Sequence, residues 1–324
     1  MSLLEKASLI ITPNAEKVGK LYSVIPSDGN ADLTVVRGTV ATRVNSLGVI
    51  ENVAVNEPRL NYDTVGGCPA ILIEPQRMNR LLNSETVVTQ TISTTGVACT
   101  VSFYGTGTII FSGTFIGTLV GTGVNNRVSL TFTPTTGSLL LTVTGSVTKG
   151  QLETGNYATS YIPTLGSAQT RNADALTRAN IFSNNLITSA GGTWFIHLKN
   201  NTQLRRDAST ASISIDTTSL TNGFSIKQSD GTAALRLFIV KLIAGAQTPL
   251  FSTTTDTVKI AIKWNGTTAD IFQNGVKVVT ATAFSITAMQ NLSLLGTDVT
   301  KSINSTMLFP TPLTDTECIN LTTL

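Results

Sequence analysis

Residues 150–171 read "GQLETGNYATSYIPTLGSAQTR". Apolar residues recur there at no fixed period, and Gly150, Gly155, Pro163 and Gly166 interrupt helix and strand patterns alike. Only 13% of the chain is charged, against roughly 25% in ordinary soluble domains, yet this stretch gathers Gln151, Glu153, Tyr157, Tyr161 and Arg171. Such a stretch reads as a seam between folded units. Tyr and Pro have few rotamers to lose on ordering, and a Tyr hydroxyl can satisfy backbone buried at a joint. The seam is therefore expected to be structural. Gln151 and Glu153 are placed on the last strand of one unit, and Tyr157 to Pro163 form an ordered exit. A ligand role for Tyr157 or Tyr161 is the alternative.

The flanks set the fold class. Thr and Gly are abundant and helix formers scarce, which is the composition of pleated sheet, because β-branched residues fit the pleat. Before the seam, "RVSLTFTP" turns Val128, Leu130 and Phe132 one way, and "SLLLTVTG" does the same with Leu139, Leu141 and Val143. With Gly107, Gly113, Gly117, Gly121 and Gly145 as punctuation, residues 81–165 are expected to form a small antiparallel β-sandwich of jelly-roll type. After the seam, "TVKIAIKW" places Val258, Ile260, Ile262 and Trp264 on one face, and the turn "NGTT" follows. Asn274-Gly275 and Asp230-Gly231 are hairpin signals, and Thr314 with Glu317 forms a capping box that starts a short helix. Residues 166–324 are expected to form a second, larger sandwich. Residues 1–80 hold only short apolar runs, such as "SLIIT" and "PAILIEP", between turn-rich joints. They are expected to be an irregular segment ordered against a partner or against copies of the chain. The whole is thus expected to be all-β.

Composition excludes several classes of function. The net charge of +3 is unclustered, with Arg205-Arg206 the only adjacent basic pair, so a nucleic-acid partner is not expected. The longest apolar segment, "AALRLFIVKLIAGA", carries Arg236 and Lys241 and falls short of the ~20 residues of a membrane helix. The N-terminus lacks the pattern of a secretory signal. Cys68, Cys99 and Cys318 have no metal-ligand spacing and are expected to be small buried hydrophobes in a reducing cytoplasm.

Two stretches resemble known families. "VKIAIKWNGTTADIFQNGVKV" and the later "MLFPTPLTDTECINLTTL" resemble laminin-G and concanavalin-A-like sandwiches. The seam itself resembles the recurrent end of a carbohydrate-binding-module-like jelly roll in structural proteins of tailed bacteriophages. "ASLIITPNAEKVGKLYSVIPSDGNADLTVVRGTVATRVNSLGVIENVAVNEPRLNY" and "GGCPAILIEPQRMNRLLNSE" are similar to the N-terminal part of the same proteins. The resemblance implies a virion protein: a head fibre or capsid decoration protein, with a tail fibre or receptor-binding protein as the alternative. It further implies attachment to capsid or tail proteins through residues 1–80, a homotrimer, and contact with host-surface polysaccharide. A depolymerase is the lesser alternative.

For an enzyme the residues are sparse. Glycoside hydrolysis uses two carboxylates flanking one bond, and none of the 19 Asp and Glu falls in such a motif; Asp315 and Glu317 are accounted for by helix capping. His197, the only histidine, alternates opposite to Trp194, Ile196 and Leu198, and no nucleophile elbow accompanies it. No enzyme activity, cofactor or metal is expected. A sugar site pairs an aromatic face with amides and charged groups. Trp194 and Trp264 read as core, which leaves Tyr104, the loop residues Asn125, Asn126 and Arg127, and Tyr157 and Tyr161 as ligand candidates.

Overall fold

The computed structural model describes residues 2–63, 65–199, 213–217, 220–228, 237–255, 257–285, 288–297 and 300–323. The protein is all-β; the described residues form antiparallel sheets and two short helices.

The larger unit is a sandwich of two sheets. One runs, in spatial order, Val276–Ala283, Thr268–Gln273, Val258–Trp264, Gly192–Lys199, Lys301–Phe309, Ala70–Ile73 and Leu60–Asn61, with Leu9–Ile11 also paired to Lys301–Phe309. The other runs Glu16–Lys17, Lys20–Leu21, Leu33–Val36, Ala175–Arg178, Asn291–Leu295, Ile213–Asp216, Gly223–Gln228, Leu237–Ile243 and Ala246–Thr253. Alternation fixes which side chains face inward. Trp194, Ile196 and Leu198 enter the core between the sheets with Val258, Ile260, Ile262 and Trp264, while His197 lies on the opposite face. Asn274 (φ 48°) and Gly275 (φ 82°) make the two-residue hairpin turn, whose primed geometry needs positive φ at both positions. Asp230-Gly231 lies outside the described residues.

Residues 1–80 are not a separate segment. Leu9, Ile11, Leu33, Val35, Ile71 and Ile73 share one core with Trp194, Ile260 and Leu294. Leu9–Ile11 and Ala70–Ile73 both pair with Lys301–Phe309, and Leu33–Val36 pairs with Ala175–Arg178. Runs of three or four residues cannot bury a face by themselves, so they take partner strands from distant parts of the chain. Helix Leu3–Lys6 and helix Asp315–Thr322 lie over the outer face of the first sheet, where Ala7, Ile10, Phe195, Phe272, Phe309, Leu313 and Cys318 form a second cluster. Thr314 caps the second helix with Glu317 in a reciprocal capping box. Cys99 and Cys318 are buried as expected, but Cys68 is exposed.

The jelly-roll unit is inserted into this sandwich. Strands Gln90–Thr95, Thr136–Thr144, Thr108–Gly113 and Gly117–Val120 form one sheet, and Gly123–Phe132, Cys99–Gly105 and Val147–Thr154 the other. Its core is its own: Leu81, Val101, Phe103, Ile109, Phe111, Leu139, Leu141 and Leu152 pack with Phe132, and Val128, Leu130 and Val143 close it from the edge. The chain enters and leaves through one neck, where Arg77–Asn79 pairs with Gln169–Arg171 and the Asn83 amide donates to the Leu165 carbonyl at 2.8 Å.

Candidate functional site

The insert docks through the outer face of its three-stranded sheet. Where Val101 and Phe103 point into the insert's core, Thr100, Ser102 and Tyr104 point the other way. On the neighbouring strand Val147–Thr154, the register sets Gln151 beside Ser102 and Glu153 beside Thr100. Both are fully buried and both hold the exit that follows. The Ile162 amide donates to Gln151 Oε1 (2.7 Å), and the Thr159 amide and hydroxyl donate to the Glu153 carboxylate (2.7 Å each). Tyr157 is buried with the Arg77 guanidinium 5.2 Å from its ring centroid. Tyr161 is buried too, but its hydroxyl meets Ser84 Oγ (2.7 Å) and the Glu85 carboxylate rather than backbone. The seam joins the two units, with Gln151 and Glu153 on the last strand of the insert.

Beneath the exit lies a cluster of buried charge. Arg37, Arg59 and Arg171 are each 1% exposed or less. Arg37 Nη1 donates to Asp174 (3.0 Å), Arg59 Nη1 to Glu74 (2.6 Å), and Arg171 Nη1 stands 2.9 Å from Glu74; Arg59 also pairs with Asp174. Glu74 further accepts from the Ser160 amide (2.8 Å) and hydroxyl (2.5 Å). Burial by itself would raise the Glu74 carboxyl, but Arg171 and Arg59 outweigh it and hold the group far below the usual carboxylate range. Glu153 is the converse. Burial dominates there and pushes its carboxyl above the ordinary value, despite the hydrogen bonds from Gln151 and Thr159. Glu74, Arg59 and Asp174 thus tie the large sandwich to the exit, and through Ser160 and Thr159 to the insert.

Beside this cluster the junction opens into a cleft of about 200 Å³. One wall is the hairpin Ala41–Val44 and Ile50–Val53 with Asn61; the other carries Tyr104, Arg127 and the exit residues 158–161. Arg127 Nη1 donates to the Thr159 carbonyl (2.6 Å), Nη2 to Ser102 Oγ (2.8 Å), and its guanidinium lies 6.0 Å from the Tyr104 ring centroid. Of the six ligand candidates, Tyr104, Arg127 and Tyr161 line this cleft. Asn125 and Asn126 do not, and they are not on a loop. They belong to strand Gly123–Phe132, where Arg127 pairs with Tyr104 and Gly123 with Gly105, so the residues between bulge outward and are exposed. Arg43 and Asn61 were not anticipated. Each sits near short apolar runs within the segment 1–80, and no local pattern ties either to the distant Tyr104 and Arg127.

Four of the described carboxylates have structural partners. Glu74 and Glu153 are buried and occupied by hydrogen bonds, while Asp270 and Asp315 share Lys263 and Lys277 beside helix Asp315–Thr322. Among the described residues no group of three or more His, Cys, Asp and Glu is arranged to hold a metal ion, and no helix is long and apolar enough to cross a membrane.

No family model matches the sequence, and no curated protein matches it either. Part of the chain is similar to the solved binding domain of botulinum neurotoxin DC in complex with rat synaptotagmin II, at 14% identity and a TM-score of 0.33 over 46% of this chain and 40% of that one. It is also similar to the CBM40 module of a Ruminococcus gnavus IT-sialidase bound to α2,3-sialyllactose, at 16% identity and a TM-score of 0.30 over 42% of this chain and 83% of that one. A Trypanosoma rangeli sialidase shares 8% identity at a TM-score of 0.36, over 45% of this chain and 25% of that one. These partial likenesses identify no family.

Proposed function

We propose that the chain is a non-enzymatic structural protein of a tailed-phage virion, a head fibre or decoration protein, whose paired sandwiches contact host-surface glycans. The virion placement is supported by the sequence resemblance of the seam and of residues 7–85, and a tail position fits the same residues. Attachment through residues 1–80 must then use their outward surface, because Leu9, Ile11, Leu33, Val35, Ile71 and Ile73 are spent inside the large sandwich.

The observation that carries glycan contact is the junctional cleft. It sets a half-exposed tyrosine ring, a guanidinium and a side-chain amide around about 200 Å³ of open space, on a frame that buried ion pairs hold rigid. A ring to stack on, together with polar groups to meet hydroxyls, is the chemistry of a sugar subsite. The site need not be tight, since many copies on one particle raise avidity by ~10²–10⁴.

Binding of the purified full-length chain to a panel of bacterial surface polysaccharides, with product analysis on the same samples, tests the reading. Saturable binding without cleavage is expected. Release of oligosaccharides would replace a binder by a depolymerase, and no binding at oligomeric valency would remove the glycan role. Mass spectrometry of purified particles tests the virion placement, which fails if the chain is produced but absent from them.

A further inference from the structure

Arg127 differs from the other arginines at the junction. Arg37, Arg59 and Arg171 are each ion-paired with Asp174 or Glu74, and Arg77 Nε stands 3.8 Å from Glu153. Among the described residues no carboxylate forms an ion pair with Arg127. Its Nη1 and Nη2 are held by a neutral carbonyl and a neutral hydroxyl, and its Nε is buried and donates to nothing in the chain. An N–H buried without an acceptor is costly, and a half-buried guanidinium that feels Glu153 only at a distance can still donate charge-assisted hydrogen bonds to an anion in the cleft.

The surroundings suit a particular anion. The Tyr104 ring stands against the same guanidinium, and among the described residues neither the Tyr104 hydroxyl nor Asn61 Nδ2 makes a hydrogen bond. Asn61 Oδ1 is already occupied by the Val44 amide, so the outward half of that side chain is a donor. Across the cleft, Arg43 is paired with Glu16 (2.6 Å) and Glu51 (2.8 Å), and Glu74, also on the lining, is paired with Arg59 and Arg171, so Arg127 is the lining cation without an ion pair among the described residues. A space of about 200 Å³ is below the ~300 Å³ at which ligand pockets usually begin, which suits one ring of a longer chain with its neighbours outside.

We propose that the cleft takes an acidic sugar residue, its carboxylate at Arg127, its ring against Tyr104 and a hydroxyl at Asn61. This rests on the glycan reading above and narrows it to carboxylated polysaccharides.

The test uses the full chain and three probes, hyaluronan, alginate and polygalacturonate, each beside its carboxyl-reduced form. Binding to at least one acidic form is expected, weaker by about tenfold or more for its reduced form and for Arg127→Gln, the scale of a lost charge-assisted hydrogen bond. Since Arg127 also ties its strand to the exit, melting is measured alongside. If Arg127→Gln melts early, Arg127→Lys carries the test, with weaker and more salt-sensitive binding expected. Asn125→Ala, outside the cleft, should bind as the parent does. Equal binding of acidic and reduced forms overturns the preference for acid while leaving glycan binding intact. Unchanged binding by the folded Arg127 variants overturns the site. Binding only to neutral polysaccharides of the wider panel overturns this proposal alone, and binding to none overturns both readings.

Discussion

The interior of the inserted sandwich and the junction beneath it are equally buried and built from opposite materials. The insert's core is Leu, Val, Ile, Phe and Cys99 from residues 81–152, and every side chain in it comes from within the unit. The junction is Arg37, Arg59, Arg171, Glu74, Asp174, Gln151 and Glu153, drawn from three separated parts of the chain. Apolar packing is tolerant and non-directional, so it makes a unit but does not fix how two units sit together. Buried ion pairs and hydrogen bonds add little net stability, but they are satisfied in one arrangement only. The insert is therefore held to its host by geometry more than by area.

Deletion of residues 1–80 breaks the comparison most severely. It removes Leu9, Ile11, Leu33, Val35, Ile71 and Ile73 from the large core, together with Arg37, Arg59 and Glu74 from the junction. The fragment 81–324 is expected to lose the large sandwich and to be trimmed by protease to the insert, whose core is intact. A soluble fragment with one cooperative melt would show that the deleted segment is dispensable to the fold.

Next in size is Glu74→Gln. It leaves Arg59 and Arg171 facing a neutral amide in a dry site, and breaking a buried pair from one side costs roughly 3–5 kcal/mol. Both units should feel it, since Glu74 also holds Ser160 in the exit. Leu141→Ala, by contrast, should cost roughly 2–5 kcal/mol through the cavity it leaves. Its effect should stay within the insert, read as faster hydrogen exchange at residues 90–152 with the large sandwich unchanged. If each variant destabilises both units equally, the units are one cooperative body and the distinction fails.

What could be read from the sequence follows the same division. Alternation with a period of two is local, so Val128, Leu130, Leu139 and Leu141, and the Trp264 strand with its Asn274-Gly275 turn, are legible at sight. The capping box at Thr314 is legible for the same reason. The segment 1–80 is not, because its strands pair with residues 175–178 and 301–309, and nothing near Leu9 points to Leu308. The seam is legible as a joint from its crowd of polar residues in a charge-poor chain. Its partners are not: Arg59, Glu74 and Asp174 lie in "EPRLN", "ILIEP" and "TRNAD", far apart in the chain, and no local pattern ties one to another. Tyr104 and Arg127 could be chosen as candidates from residue type. That they share a cleft with Arg43 and Asn61 depends on the hairpin Ala41–Val44 and Ile50–Val53 folding back against the insert.

The smallest effect separates the two buried carboxylates. Glu153→Gln should cost about 1 kcal/mol, since the amide oxygen can still accept from Thr159 N and Gln151 Nε2, and only the Thr159 hydroxyl must reorient. Its pH dependence should run opposite to that of Glu74→Gln. Glu74 titrates far below its ordinary value in the folded chain, so its contribution is complete above the ordinary carboxylate range and fades on acidification. The gap between parent and Glu74→Gln should therefore narrow as pH falls from 6 toward 3, across the ~4.3 of an unperturbed Glu. Glu153 titrates above its ordinary value, so the folded chain binds its proton first and the parent gains on acidification. The gap between parent and Glu153→Gln should widen over the same interval. Urea denaturation of the three chains at several pH values measures both slopes. Slopes of the same sign would mean that the nearby arginines outweigh burial at Glu153 as Arg171 and Arg59 do at Glu74.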